Sequence, residues 1–380
     1  MKNLLKLSLL ALFLITLGPL HAAPLPTPAK PDIQAKAYLL LDLTRGQVLA
    51  ETNADGRIEP ASLTKMMTAY VVSAELATGR VTLQDRVRIS EKAWRQEGSR
   101  MFVEVNTFVT VEELLKGLII QSGNDAAVAL AEHLAGSEEA FAALMNREAQ
   151  RLDLKDTHFV NSTGLPDPNH YSTAHDLARL ASAIVRDFPD HYSWYAAREF
   201  TYNKITQPNR NLLLWRDASV DGIKTGHTQS AGYCLVASAK RGEMRLISVV
   251  IGTSSEELRA KESMKLLGYG FGFFETHKLY DANQPLATRK VWKGEQDTVE
   301  LGLQQPLYVT VPRGYYNELK AALNVEKTII APLHKGDPLG SVVVRLADQT
   351  LATPPLVALA DRPEGGFFTR LIDTILLWFE

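Results

Sequence analysis

Three short motifs in this chain hold side chains whose types and spacing suit nucleophilic catalysis. They are Ser62-Leu63-Thr64-Lys65, Ser122-Gly123-Asn124 and Lys224-Thr225-Gly226. A serine hydroxyl is a weak nucleophile until a neighbouring base takes its proton. On a helix, a spacing of three residues places Ser62 and Lys65 on one face, within reach of each other. The first motif therefore predicts a covalent intermediate on Ser62, with Lys65 as the base.

The first motif lies at the start of a predicted helix. Pro60 begins it, apolar residues recur at helical spacing, and Gly79 ends it. The free backbone N–H groups at a helix N-terminus allow the N–H of Ser62 to stabilise an oxyanion. Lys65 can act as a base only if its pKa falls, and we expect burial and the charge of Lys224 to lower it.

The second motif lies where a loop meets a helix, and the third lies on a strand. The region from 112 to 152 is predicted to be mostly helical, with Asn124 or Asp125 capping one helix and Ser137 capping the next. Runs at 37–51 and 222–251 read as strands joined by hairpins, and further helices separate these two regions. Interleaved helices and hairpin strands predict an α/β-layered domain around an antiparallel sheet.

Each motif has a purely structural alternative when taken alone. Ser62 could satisfy the first turn of a helix, and Lys65 could be a solvated helix residue. Asn124 could be an ordinary cap, and Lys224-Thr225-Gly226 an ordinary strand end. Their order and their setting favour a catalytic interpretation.

Together these resemble the S-x-x-K, S-D-N and K-T-G motifs of penicillin-binding proteins and class A β-lactamases, with glycine in place of aspartate in the second. The sequence resembles the low-molecular-mass D-alanyl-D-alanine carboxypeptidases of the penicillin-binding protein 5/6 type. The segments Asn209-Arg210-Asn211 and Val220–Thr228, with a β-rich tail, extend the resemblance from about residue 30 to the end. It implies an α+β catalytic domain of the serine β-lactamase/transpeptidase kind, a small all-β C-terminal domain and a terminal amphipathic helix.

The resemblance also implies a role for each motif residue. Catalytic roles fall to Ser62 as nucleophile, Lys65 as general base and Ser122 as proton relay. Substrate-binding roles fall to six residues: Asn124, Arg210, Lys224, Thr225, Gly226 and His227. Asn124 would orient Lys65 and bind an amide, and Lys224 would keep the site positive. Arg210 and Thr225 would hold the terminal carboxylate, and the N–H of His227 would complete the oxyanion hole. No metal and no cofactor are expected.

The implied reaction is removal of the terminal D-alanine from peptidoglycan pentapeptide stems, with β-lactams as covalent inhibitors of Ser62. Alternatives are a D,D-endopeptidase, a transpeptidase or a β-lactamase of the same superfamily, or a non-catalytic wall-binding scaffold. The middle motif, Ser-Gly-Asn, argues against a class A β-lactamase, which carries Ser-Asp-Asn. Thr163 stands where some relatives have histidine.

The two ends of the chain predict its location. Residues 1–23 have the basic start, apolar run and small residues of a cleaved signal peptide, which indicates export; the alternative is a retained membrane helix. Residues 363–380 predict an amphipathic anchor, with a docking helix or an oligomer contact as alternatives. Between them we expect a catalytic domain at 24–282 and a small β-sandwich at 283–362. The resemblance implies a periplasmic enzyme attached to the outer face of the cytoplasmic membrane.

Composition narrows the classes of protein further. The 380 residues are 46% hydrophobic and 22% charged, as in globular proteins, and a net charge of −2 gives no case for nucleic-acid binding. Cys234 is the only cysteine, which excludes an intrachain disulfide. The spacing of His170 and His175 is not that of a helical zinc pair.

Overall fold

The computed structural model describes residues 28–379. The predicted signal peptide at residues 1–23 lies outside this range, and so does Glu380 at the end of the predicted anchor.

A five-stranded antiparallel sheet forms the centre of the first part of the chain. Its strands are β1 (Ala37–Asp42), β2 (Gln47–Thr52), β3 (Val220–Thr228), β4 (Gly232–Arg241) and β5 (Met244–Thr253), in the spatial order β2-β1-β5-β4-β3. The hairpins predicted from the apolar runs at both ends of this region are present. Strand β3 lies at an edge of the sheet, so one side of its backbone faces the rest of the domain.

Helices cover both faces of this sheet. The long ones are α1 (Lys65–Ala77), α2 (Asn124–Ala135), α3 (Glu138–Arg151), α4 (Ala174–Asp187) and α5 (Glu256–Phe273). Along β5, Ile247 and Val249 enter the core shared with α1 to α4, whereas Leu246 and Val250 enter the core shared with α5. This alternation follows from the two-residue period of a strand. The α/β-layered architecture predicted from the sequence is confirmed.

Shorter elements complete this part of the chain. Strands are Arg86–Arg88, Phe108–Thr110, Glu199–Tyr202 and Ile205–Pro208; helices are Glu91–Trp94, Val111–Lys116, Pro189–Tyr192 and Leu213–Arg216; single turns of 3-10 helix are Ala61–Thr64 and Ser193–Ala196. The helix predicted to begin at Pro60 thus starts as a 3-10 turn and becomes α1 at Lys65.

The predicted helical region from 112 to 152 is interrupted at Ser122. A π-helical turn over Gly117–Gln121 ends there, where the backbone has φ 64° and ψ 34°. This left-handed conformation cannot continue a helix, so the chain turns sharply before α2 begins. The cap predicted for α2 was wrong: Gly123 occupies the N-cap position, with no side-chain cap. The cap predicted for α3 at Ser137 is present.

The C-terminal part of the chain is built of β-strands. They are Phe274–Tyr280, Ala287–Trp292, Thr298–Gly302, Leu307–Pro312, Leu319–Val325, Ile329–Ile330, Pro338–Leu346, Gln349–Ala352 and Pro355–Ala358, with a 3-10 turn at Tyr316–Glu318. Seven of them form one sheet, whereas Phe274–Tyr280 pairs with Leu307–Pro312. This pairing joins a strand before the predicted domain boundary, between residues 282 and 283, to a strand after it. The position of the boundary remains a prediction.

Asp42, at the end of β1, joins the two parts of the chain. Its buried carboxylate accepts hydrogen bonds from the hydroxyls of Thr276 (2.8 Å) and Thr310. Nearby, the Arg45 guanidinium donates to the Leu351 carbonyl at 2.7 Å.

The chain ends in helix α6 (Phe367–Leu376) and a 3-10 turn, Leu377–Phe379. The Asp373 carboxylate accepts the backbone N–H of Lys293 at 2.5 Å, and Arg370 pairs with Glu364 at 2.6 Å, so the polar side of α6 faces the β-rich part. None of the helices within residues 28–379 combines the length and the apolar character needed to cross a membrane.

Candidate active site

A cleft of about 500 Å³ lies between edge strand β3 and the 3-10 turn that precedes α1. Seven of the nine predicted site residues line it: Ser62, Ser122, Asn124, Arg210, Thr225, Gly226 and His227. The other two, Lys65 and Lys224, are buried. The structure therefore brings together residues that are up to 165 positions apart (62 to 227) in the chain.

Ser62 and Lys65 are in direct contact. Lys65 Nζ lies 3.0 Å from Ser62 Oγ and also donates to the Thr163 carbonyl oxygen at 2.7 Å. These two contacts hold Nζ beside the serine hydroxyl. Ala61, directly before the serine, has φ 48°, a costly conformation for a non-glycine residue of the kind that clusters at functional sites.

The pKa of Lys65 is lowered to about 7. Burial is the main cause, because it disfavours the charged form, and the positive charge of Arg210 adds to it. The negative charge of Asp125 acts in the opposite direction. The predicted effect of burial is confirmed, and Arg210 adds to the lowering; the predicted repulsion between the two lysines appears in the lowered pKa of Lys224.

Lys224 lies near Lys65, and a positive charge on one lysine disfavours a positive charge on the other. Burial lowers the pKa of Lys224 well below its ordinary value, and the charge of Lys65 lowers it further. Lys224 Nζ donates to the Thr225 carbonyl at 3.0 Å. A β-carbon on Gly226 would lie 3.0 Å from the Pro60 carbonyl oxygen, so the third motif packs tightly against the turn that carries Ser62.

The second motif places a hydroxyl in the cleft. The left-handed backbone at Ser122 places its side chain in the cleft, and within residues 28–379 its buried Oγ has no hydrogen-bond partner. Asn124 also lines the cleft, and its amide donates to the Glu97 carbonyl at 2.6 Å, which ties it to the loop beside the site.

Asp125 organises that loop from beneath. Its carboxylate accepts the backbone N–H groups of Met101 (3.0 Å), Phe102 (2.9 Å) and Val103 (3.2 Å). Sequence reasoning offered Asp125 as a helix cap, but a carboxylate can equally collect the N–H groups of a neighbouring loop.

Arg210 is exposed at the mouth of the cleft, on a loop that β3 holds in place. The Asn211 amide donates to the Gly222 carbonyl of β3 at 2.9 Å. His227, on β3, packs its ring against Tyr233, with ring centroids 4.0 Å apart.

Arg259 lines the pocket and was missed by sequence reasoning. Arg259 is almost fully buried, pairs with Glu256 at 2.7 Å and donates to the Arg210 carbonyl at 3.3 Å. Arg259 and Arg210 both line the cleft. The sequence does contain an indication of its role. Arg259 lies in the first turn of α5, where a positive charge is unfavourable because of the helix dipole, and such a residue is often held there by a specific partner or ligand.

The two histidines considered as metal ligands lie apart from each other in different contacts. His170 contacts Thr64 at 2.8 Å. His175 contacts the carboxylates of Glu51 (2.9 Å) and Asp55 (2.6 Å).

This geometry is that of a serine acyl-transfer enzyme, and comparison with known proteins gives its class. The profile of the D-alanyl-D-alanine carboxypeptidase family, peptidase S11, matches residues 25–255, and that of the penicillin-binding protein 5 C-terminal domain matches residues 274–364. The chain belongs to the D-alanyl-D-alanine carboxypeptidase family, so the resemblance predicted from the motifs is confirmed.

Individual relatives are similar over most of their length. The D-alanyl-D-alanine carboxypeptidase DacC of Escherichia coli is 44% identical, over 97% of this chain and 94% of the relative. Penicillin-binding protein 5 from Haemophilus influenzae has a solved structure that is 45% identical with a TM-score of 0.84, covering 88% of this chain and 99% of that one. An ampicillin-bound structure of penicillin-binding protein D2 from Listeria monocytogenes is 30% identical with a TM-score of 0.59, covering 64% of this chain and 100% of that one.

Proposed function

We propose that this enzyme removes the terminal D-alanine from peptidoglycan pentapeptide stems through an acyl-enzyme on Ser62. The observation that carries the proposal is the 3.0 Å contact between Ser62 Oγ and Lys65 Nζ, combined with a Lys65 pKa of about 7. A lysine with that pKa is half neutral at pH 7 and mostly neutral at pH 8, so it can accept the serine proton.

In the acylation step, the Lys65 amine takes the Ser62 proton and Oγ attacks the carbonyl carbon of the penultimate D-alanine. The N–H groups of Ser62 and His227 stabilise the oxyanion. The peptide C–N bond then breaks while the proton held by Lys65 passes to Ser122 and the Ser122 hydroxyl proton passes to the leaving nitrogen, so that Lys65 is neutral again and the amine departs as D-alanine. Water hydrolyses the remaining ester, releases the tetrapeptide and restores the serine.

Charge in the cleft supports this substrate class. A peptide that ends in D-alanine carries a free carboxylate, to which Arg210 offers a cation and Thr225 a hydroxyl. Thr225 and Gly226 lie on edge strand β3, whose free backbone groups can pair with an extended peptide. Asn124 binds an amide of that peptide.

The experiment measures D-alanine released from a synthetic pentapeptide, with and without penicillin, and the intact mass after penicillin treatment. We expect turnover that penicillin blocks, and one adduct that Ser62→Ala abolishes. Absence of an adduct on the wild type, or an undiminished adduct on Ser62→Ala, would refute the assignment. Cleavage of cross-linked dimers in preference to pentapeptide would indicate an endopeptidase, and rapid turnover of penicillin a β-lactamase.

We further propose that the enzyme is exported to the periplasm and attached to the membrane surface by α6. Supporting this, the apolar residues of the terminal segment are 46–85% exposed: Phe367, Phe368, Leu371, Ile372, Ile375, Leu376, Trp378 and Phe379. Because the polar side of α6 contacts the β-rich part, the apolar side is directed outward. A short helix of this kind lies in the membrane interface.

A further inference from the structure

The loop of residues 158–171 is fastened to the start of α1 by three hydrogen bonds. In two of them, Lys65 Nζ and Thr68 Oγ1 donate to backbone carbonyls of the loop, each at 2.7 Å. The third joins two side chains, because His170 Nε2 lies 2.8 Å from Thr64 Oγ1. Of these three hydrogen bonds, only the one made by His170 uses a side chain of the loop.

The direction of that third bond follows from the other ring nitrogen. His170 Nδ1 accepts the backbone N–H of Val160 at 3.3 Å, so the ring proton resides on Nε2 and is donated to Thr64. Burial lowers the pKa of His170 to about 4, and the ring is therefore neutral near pH 7. The ring is further held by edge-on packing against Phe159, with centroids 5.6 Å apart.

We propose that His170 is a positioning residue for the Ser62–Lys65 pair, acting through its hydrogen bond to Thr64. The inference rests on the proposed function. Thr64 lies between the two reacting residues and is fully buried. On its loop side, a β-carbon on Gly164 would lie 2.8 Å from Thr64 Oγ1, so the threonine has little room to shift. Fixing Thr64 therefore fixes the turn that sets the distance from Nζ to Oγ.

The test measures the rate at which penicillin acylates the full chain in four variants. We expect His170→Ala and Thr64→Val each to slow acylation about 10- to 100-fold, because a shift of about 1 Å in a reacting group costs rates of that order. The double variant should be no slower than the slower single variant. His170→Gln should recover much of the rate, since its amide can still donate to Thr64.

The pH profile distinguishes positioning from a general loss of stability. A loosened Lys65 is less buried, so the apparent pKa of acylation should rise above 7 in His170→Ala. His158→Ala is the matched control: this histidine is in the same loop but contacts the Asn169 carbonyl at 2.7 Å, away from α1. It should acylate at the wild-type rate and pH.

Several outcomes would overturn the inference. Among them are wild-type acylation in His170→Ala, an unshifted pH profile in a slowed variant, and effects of His170→Ala and Thr64→Val that multiply in the double variant. If His170→Ala does not fold, His170→Gln and Thr64→Val decide in the same way. Wild-type protein that takes no adduct would refute the proposed function as well, whereas a wild-type adduct formed equally fast in His170→Ala refutes this inference alone.

Discussion

Gly164 passes directly beneath Ala61: a β-carbon on Gly164 would lie 1.8 Å from the Ala61 carbonyl oxygen. Gly164 also has φ +83°, which glycine alone adopts without strain. We expect Gly164→Ala to lower the free energy of unfolding by more than about 2 kcal/mol and to slow Ser62 acylation at least tenfold. Thermal unfolding and penicillin acylation measure the two effects.

Gly136 provides the control for that substitution. It has φ +79° at the end of α2, but no atom lies within 4 Å of an added β-carbon. Gly136→Ala should therefore cost about 1 kcal/mol through backbone strain alone and leave acylation unchanged. Equal losses in the two variants would contradict the steric argument.

The acylation rate should rise with pH through an apparent pKa of about 7, the pKa of Lys65. Below that pH the lysine is protonated and cannot accept the serine proton; above it the amine is neutral. Rates of penicillin acylation between pH 5 and 9 measure the profile. Arg210→Gln should move the midpoint upward, because the Arg210 charge helps to lower this pKa. A flat profile would rule out Lys65 as the base.

Replacing Lys65 should stabilise the fold while abolishing acylation. A lysine whose pKa falls on folding lowers the free energy of unfolding. This destabilisation is complete below pH 7, where the lysine is protonated in both states, and it disappears as the pH rises towards 10.5, where the unfolded chain also loses its proton. We expect Lys65→Met to raise the free energy of unfolding at pH 7 by about 2–4 kcal/mol after its lost hydrogen bonds are allowed for.

Denaturant unfolding of wild type and Lys65→Met at pH 7 and pH 10 measures this difference, which should shrink at the higher pH. Lys155→Met serves as control, because that side chain is 72% exposed. Its effect should be the same at both pH values. A Lys65→Met difference that does not change with pH would mean that burial is not the source of the shift.

Asp125→Asn should loosen the loop beside the active site. The carboxylate accepts backbone N–H groups from three successive loop residues, and an amide has only one oxygen to offer them. We expect a loss of about 1.5–3 kcal/mol and faster hydrogen exchange at 101–103. Asp85→Asn, where an exposed carboxylate accepts the Thr82 N–H at 3.0 Å, should cost less and leave that exchange unchanged. Exchange at 101–103 that is unaltered in Asp125→Asn would show that other contacts hold the loop.

The apolar side of α6 should bind lipid vesicles. Ile372→Glu and Ile375→Glu place charges on that side, and we expect each to weaken co-flotation with anionic vesicles several-fold without changing pentapeptide turnover. Thr374→Glu, on the polar side, should retain binding. If the wild type does not float, and instead self-associates through these residues, α6 is an oligomer contact.

Sequence reasoning predicted the participants in the site better than their contacts. The hydroxyls and amines of the three motifs were identifiable because nucleophilic chemistry needs those side chains. The Thr163 carbonyl that holds Lys65 could not be predicted, since every residue has a backbone carbonyl and only the fold selects one. The π-helical turn before Ser122 was equally hidden in an ordinary apolar run.

The β-rich part shows the limit of local patterns for the fold. Its overall character was evident from short β-like runs, but Leu319–Val325 was not predicted as a strand. Its sequence, LKAALNV, consists largely of residues with good helix propensity. Pairing with Pro338–Leu346 overrides that preference, as tertiary context often does in sheets.

Asp42 gives the two parts of the chain more than a peptide connection. Because its buried carboxylate accepts hydrogen bonds from hydroxyls on both Phe274–Tyr280 and Leu307–Pro312, any movement of β1 away from these two strands has to break two buried hydrogen bonds. If α6 lies on the membrane as proposed, these hydrogen bonds would limit how far the cleft can move from the membrane surface. The enzyme would then act only on peptidoglycan stems within a limited range of distances from the membrane.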